Sequence, residues 1–95
     1  MHKIRYTNEA KEDFEKLPPK TAERIIAKMS HYGTQQAPLK FAKHLKNRRF
    51  GKFRFRIGDY RVIFDVDNST KPPTMIVLAI GHRKNIYFRI LSTFI

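Results

Sequence analysis

Basic side chains alternate with apolar ones from Lys52 through Phe53, Arg54, Phe55 and Arg56 to Ile57. That is the period of a strand with one dry face and one wet face. Gly58-Asp59 follows as a two-residue turn signal, and Tyr60-Arg61-Val62-Ile63-Phe64-Asp65-Val66 reads as a second strand. With Gly58 and Asp59 as the loop, Ile57 faces Tyr60, Phe55 faces Val62 and Phe53 faces Phe64, which makes one face apolar. The other face then carries Lys52, Arg54, Arg56, Arg61, Ile63 and Asp65. Arg56 lies opposite Arg61, a like-charge pair that costs roughly 0.2–1 kcal/mol. A sheet that accepts such repulsion is suited to hold an anion, and arginine forks meet phosphate oxygens two at a time. The chemistry expected of this face is the binding of a phosphate backbone.

The elements that must position these residues follow from pattern. His2 to Tyr6 reads as a short strand. Thr7 or Asn8 caps a helix whose Ala10, Phe14 and Leu17 share one face, with Glu9, Glu12 and Asp13 near its positive end. Pro18-Pro19 ends it and Pro19 opens a second helix with an apolar stripe of Ala22, Ile25, Ile26 and Met29, extended by Tyr32. Gly33 is expected just past its end. Residues 34–50 are the least regular, with a short helical turn at 39–46 and a connection that wraps the sheet edge. There Lys46, Arg48 and Arg49 add to the basic surface. Asn68 to Pro73 is a loop, and Met75 to Ile80 is a strand expected to be buried on both faces. The expected fold is α+β: an N-terminal strand, a helix hairpin, then an antiparallel meander, with the helices on one sheet face of a single domain spanning 1–95.

Composition narrows the function classes. The net charge is +12, and residues 40–61 hold nine basic side chains against one acidic. Such focus is the electrostatic footprint of a nucleic-acid binder. An anionic membrane surface or an acidic protein partner is the alternative, less suited to basic residues alternating on a strand than to an amphipathic helix. The chain has no cysteine, which excludes disulfides and thiolate zinc sites. His2, His31 and His44 show no ligand spacing, so no metal is expected, and there is no glycine-rich phosphate loop that would imply a nucleotide cofactor. The first residues lack a signal-peptide core, and Met75–Ile80 is too short to span a bilayer. The expected location is the cytoplasm.

Two blocks, Phe53-Arg54-Phe55-Arg56-Ile57-Gly58-Asp59-Tyr60-Arg61-Val62-Ile63-Phe64 and Ile80-Gly81-His82-Arg83-Lys84-Asn85-Ile86-Tyr87, resemble the RelE/ParE superfamily of toxins from type II toxin–antitoxin systems. The two opening helices, the spacing between the blocks and the length agree as well. The resemblance implies a small α+β domain and a cognate antitoxin partner. For the favoured RelE-like branch it implies an mRNA interferase: a metal-independent, ribosome-dependent endoribonuclease that cuts mRNA in the A site by attack of the RNA's own 2′-hydroxyl. For a ParE-like member it implies inhibition of DNA gyrase without nuclease chemistry. A degenerate member would keep only binding.

Carried over by position, the resemblance makes Arg61 the phosphate-gripping arginine, Arg83 the arginine after the last strand and Tyr87 the tyrosine that supports the reacting nucleotide. Two basic positions on the preceding strand, lysines in the family, fall on Lys52 and Arg54. Arginine does not give up its proton, so Lys52 is the candidate base. Arg54, Arg56 and Arg61 would stabilise the phosphorane. His82, of a type that exchanges protons near neutrality, is a further acid or base candidate. The apolar tail from Ile90 to Ile95 needs cover, from an antitoxin or from the core.

Overall fold

The computed structural model describes residues 1–45 and 51–86. In chain order the elements are β1 (Lys3–Tyr6), α1 (Asn8–Glu15), α2 (Pro19–Thr34), a 3-10 turn (Pro38–Phe41), β2 (Ala42–His44), β3 (Phe53–Ile57), β4 (Tyr60–Asp67) and β5 (Thr74–His82). The strands form one sheet in the order β1-β5-β4-β3-β2. Pairing is antiparallel from β2 to β5, and β1 joins β5 in parallel. The chain is therefore α+β, as expected, with β1 closing the far edge. No helix among the described residues is long and apolar enough to cross a membrane.

Local chemistry sets both helix starts. Thr7 is the N-cap of α1, its Oγ1 accepting from the Ala10 N–H at 3.2 Å. Pro19 opens α2, where its missing N–H costs nothing. Gly33 does not end α2, which continues to Thr34 with Gln35 as C-cap. The glycine instead lets β1 approach the helix. The His2 N–H donates to the Gly33 carbonyl at 2.8 Å, and a Cβ at 33 would meet Ile4 Cδ1 at 3.0 Å and the His2 carbonyl at 3.2 Å.

The main core lies between the helices and one sheet face. Ala10, Ile25 and Met29 meet Phe55, Ile57, Val62, Phe64, Met75, Val77 and Ile80. Each large side chain buried there contributes about 1.5–3 kcal/mol. Ile26 is an exception to the expected stripe, being 47% exposed, because the sheet covers only the side of α2 that carries Ile25 and Met29. Rings continue the core to the sheet edge. Phe64 stacks on Phe55, Phe55 on Tyr32 and Tyr32 on Phe41, with centroids 4.4, 4.3 and 5.2 Å apart.

The opposite face is less open than the pattern suggested. Ile63, Ala79 and Ile86 form a second buried cluster, with Leu45 packed against it. β5 is thus buried on the helix side at Met75, Val77 and Ile80, while Ile76 and Leu78 on the other side stay partly exposed. A bulge separates the Ile63–Ala79 and Phe64–Val77 pairs and makes room for Leu78. The irregular segment also differs from expectation: its helical turn is confined to Pro38–Phe41, and the next three residues are the edge strand itself rather than a connection around it.

Candidate nucleic-acid interface

The β3–β4 hairpin has the register that the alternation implies. Phe53, Arg54, Phe55, Arg56 and Ile57 pair with Phe64, Ile63, Val62, Arg61 and Tyr60. Gly58 has φ 59°, the one positive φ among the described residues, so the two-residue loop needs glycine at its first position. β2 then sets Lys43 opposite Arg54. Lys43, Arg54, Arg56 and Arg61, with Phe41 at the edge, line a pocket of about 100 Å³. Four cations from three adjacent strands converge there on a rigid sheet.

Arg61 is held most firmly. It is only 7% exposed, and its Nη1 donates to the carbonyls of Gly58 at 3.0 Å and Tyr60 at 2.9 Å. Two of its five N–H groups are thereby spent on the turn, which orients the guanidinium and compensates part of its burial. Arg56, directly across, is exposed. The pair joins one fixed cation to one that can adjust.

Lys52 precedes β3 and does not line the pocket. It lies two residues before Arg54, about 7 Å along an extended chain. Its backbone N–H, not its ammonium, donates to Asp65 Oδ1 at 2.8 Å. Arg83 follows β5 and also stands outside the pocket. Its backbone N–H donates to the Asp59 carbonyl at 2.7 Å, and its Nε lies 3.6 Å from Asp59 Oδ1. Both side chains are more than half exposed, so this ion pair adds at most about 1 kcal/mol.

His82 lies on the other side of the sheet from the pocket cations. It pairs with Tyr60, and their rings meet edge-on at 5.5 Å. Tyr60 packs against the helix-side core, whereas Arg61, one residue on, points to the other face. His82 therefore sits behind the pocket, and its Nδ1 accepts from the Lys84 N–H at 3.1 Å. Strand alternation, set by its partner Tyr60, decides this. Tyr87, Lys46, Arg48, Arg49 and the apolar tail lie outside the described residues.

Two pocket residues, Lys43 and Phe41, belong to a segment expected only as a basic connection with apolar anchors and were not candidate site residues. Their signal was weak because a three-residue strand is too short to display a period. The pKa of His2 is lowered by burial and by the neighbouring N-terminal ammonium, that of Tyr6 is raised by burial, and that of Asp67 is lowered by hydrogen bonds from Ser69. These three residues lie outside the pocket lining.

Comparisons with known proteins bear on the family and the fold. Residues 4–87 match the family described as ParE toxin of type II toxin–antitoxin system, parDE. Toxin RelG of Mycobacterium tuberculosis is 33% identical over 89 residues, covering 90% of this chain and 95% of that protein. The toxin–antitoxin complex RelBE2 of the same organism superposes with TM-score 0.64 at 28% identity, over 85% of this chain and 96% of that one. The archaeal RelE–RelB complex of Pyrococcus horikoshii, at 22% identity and TM-score 0.66 over 86% of this chain and 94% of that one, shows the same fold. By fold, motif and family, the chain belongs to the RelE/ParE superfamily and is a toxin of a type II toxin–antitoxin system.

Proposed function

We propose that this toxin is a RelE-type mRNA interferase, a metal-independent endoribonuclease that acts on messenger RNA in the ribosomal A site. The observation that carries the reading is the convergence of Lys43, Arg54, Arg56 and Arg61 on one pocket beside an aromatic ring. In the reaction the 2′-oxygen forms a bond to the adjacent phosphorus, the bond to the 5′-oxygen breaks, and the leaving oxygen takes up a proton. The products are a 2′,3′-cyclic phosphate and a 5′-hydroxyl. Arg61 and Arg56 stabilise the crowded phosphorane, since cations fixed where charge develops need no reorganisation. Arg54 and Lys43 hold the neighbouring phosphate oxygens. Lys52, two residues before Arg54, takes the 2′ proton, and Arg83 and Tyr87 are the further residues proposed to contact the reacting nucleotide. Lys46, Arg48 and Arg49 extend the phosphate track. No described acid reaches the pocket, which is why the ribosome belongs to the proposal. A cognate antitoxin is the expected partner, supported by the likeness to the RelBE2 and RelE–RelB complexes.

Primer extension on translating ribosomes tests this. The parent toxin should give A-site cuts, and Arg56→Ala should lose most of them with its fold intact. Absence of cuts with the parent would sink the proposal. A second reading, gyrase inhibition without chemistry, is favoured by the ParE description of the matching family and by the missing described acid. Inhibited supercoiling with intact mRNA would select it.

A further inference from the structure

We infer that Phe41 is the stacking platform of a nucleobase subsite, so that the pocket takes one nucleotide of single-stranded RNA with its phosphate among the cations and its base on this ring. The inference deepens the phosphate-binding reading above and rests on it. At about 100 Å³ the pocket is much smaller than the roughly 300–1,000 Å³ of sites that enclose a whole small molecule. It has room for a phosphate, and the attached nucleoside must lie outside on the rim. Phe41 forms that rim and is 51% exposed, an unusual state for phenylalanine.

The ring is also held in place. One side of it stacks on Tyr32 with planes 25° apart, and Tyr32 stacks on the fully buried Phe55. The column continues to Phe64. A platform anchored through three further rings loses little conformational freedom when a base settles on it. Lys43, two residues on, lines the same pocket as the ring, so a phosphate among the cations and a base on the ring can belong to one nucleotide. Four cations around the pocket favour an anionic chain over an apolar protein segment as the occupant. Base–aromatic stacking tolerates any base, since each has a π face, so the subsite strengthens binding with little sequence preference.

The chain has no tryptophan, so Phe41→Trp places a unique fluorophore on the platform. The probes are a short RNA with 2′-O-methyl riboses, which cannot be cut, and the same RNA with one abasic position moved along it. The purified full-length toxin should bind the intact RNA about tenfold more tightly than Phe41→Leu does. For one position of the abasic site, that difference should vanish, because the two losses share one interaction. The Phe41→Trp emission should be quenched by the intact RNA and not by that abasic one. Thermal unfolding of Phe41→Leu, which keeps an apolar contact to Tyr32, checks the fold.

Equal weakening of Phe41→Leu toward every abasic RNA would overturn the inference. So would unchanged RNA binding by Phe41→Leu together with weakened antitoxin binding, which would give the ring to the protein partner. If Arg56→Ala weakens RNA binding and Phe41→Leu does not, the subsite fails and the phosphate reading stands. If the parent toxin binds neither RNA, both fail.

Discussion

Replacing Asp13 by alanine asks whether α1 finishes the sheet edge that β1 leaves open. β1 stops at Tyr6, opposite Val77, and the Thr7 N–H still reaches the Val77 carbonyl at 3.0 Å. β5 runs on to His82, and among the described residues no strand lies beside it on that side. There the Ile80 N–H finds Asp13 Oδ2 at 2.9 Å in a bond shielded from solvent, and Asp13 is only 7% exposed. A hydrogen bond to a charged group contributes about 1.5–3 kcal/mol, and its loss leaves a buried N–H without an acceptor. Alanine returns roughly 0.5 kcal/mol through better helix propensity. The net loss of about 1–2.5 kcal/mol should lower Tm by about 10 °C in a domain of this size. Asp13→Asn keeps an acceptor and should lose about half as much. Thermal unfolding followed by circular dichroism gives the shift, and amide exchange of Ile80 localises it. An Ile80 amide that exchanges no faster in Asp13→Ala, with Tm within about 2 °C of the parent, would refute the reasoning.

Other perturbations have equally specific outcomes. Arg61→Lys keeps the charge but cannot reproduce the two bonds from Nη1 to the turn carbonyls. It should lower Tm by several degrees, whereas Arg56→Ala should leave Tm unchanged or slightly raised by relieving the cross-strand repulsion. Calorimetry on both variants decides whether lost toxicity at Arg61 reflects chemistry or folding. Gly51→Ala would bring a Cβ to 2.7 Å from Ile63 Cγ2 and 3.2 Å from Leu78 Cδ1. Overpacking of this kind costs about 1–3 kcal/mol, and an unchanged urea midpoint would contradict it. Asp67 is held below the usual carboxylate range by hydrogen bonds from the Ser69 hydroxyl and N–H. Its contribution is present above the unfolded carboxylate value and lost as pH falls through the lower folded one. Titration by NMR should show the Asp67 carboxylate returning upward in Ser69→Ala; no movement would remove the Ser69 hydroxyl as a cause.

The hairpin at the centre of this protein was legible in the chain alone. From Phe53 to Phe64, a side-chain period of two, aromatic residues on one parity and a glycine at the turn leave a single register that buries the rings. Slipping it by one residue would expose Phe55 and Phe64 and bury arginines. The helix starts at Thr7 and Pro19 were equally local, since a cap and a proline act within one turn. What tertiary structure alone decided depends on partners distant in sequence. Lys43 enters the pocket because a three-residue strand pairs with β3. Asp13 is a backbone acceptor rather than a dipole partner because α1 crosses β5 beyond the end of β1, 67 residues away. Gly33 is small because β1 passes over it, and His82 faces the helices because it pairs with Tyr60. The turn carbonyls that clamp Arg61 lie close in sequence, but only the folded hairpin aims them at its guanidinium. Periodicity tells which side of a strand a residue takes. Which strand lies beside it, and what then covers it, follows from contacts that no local pattern encodes.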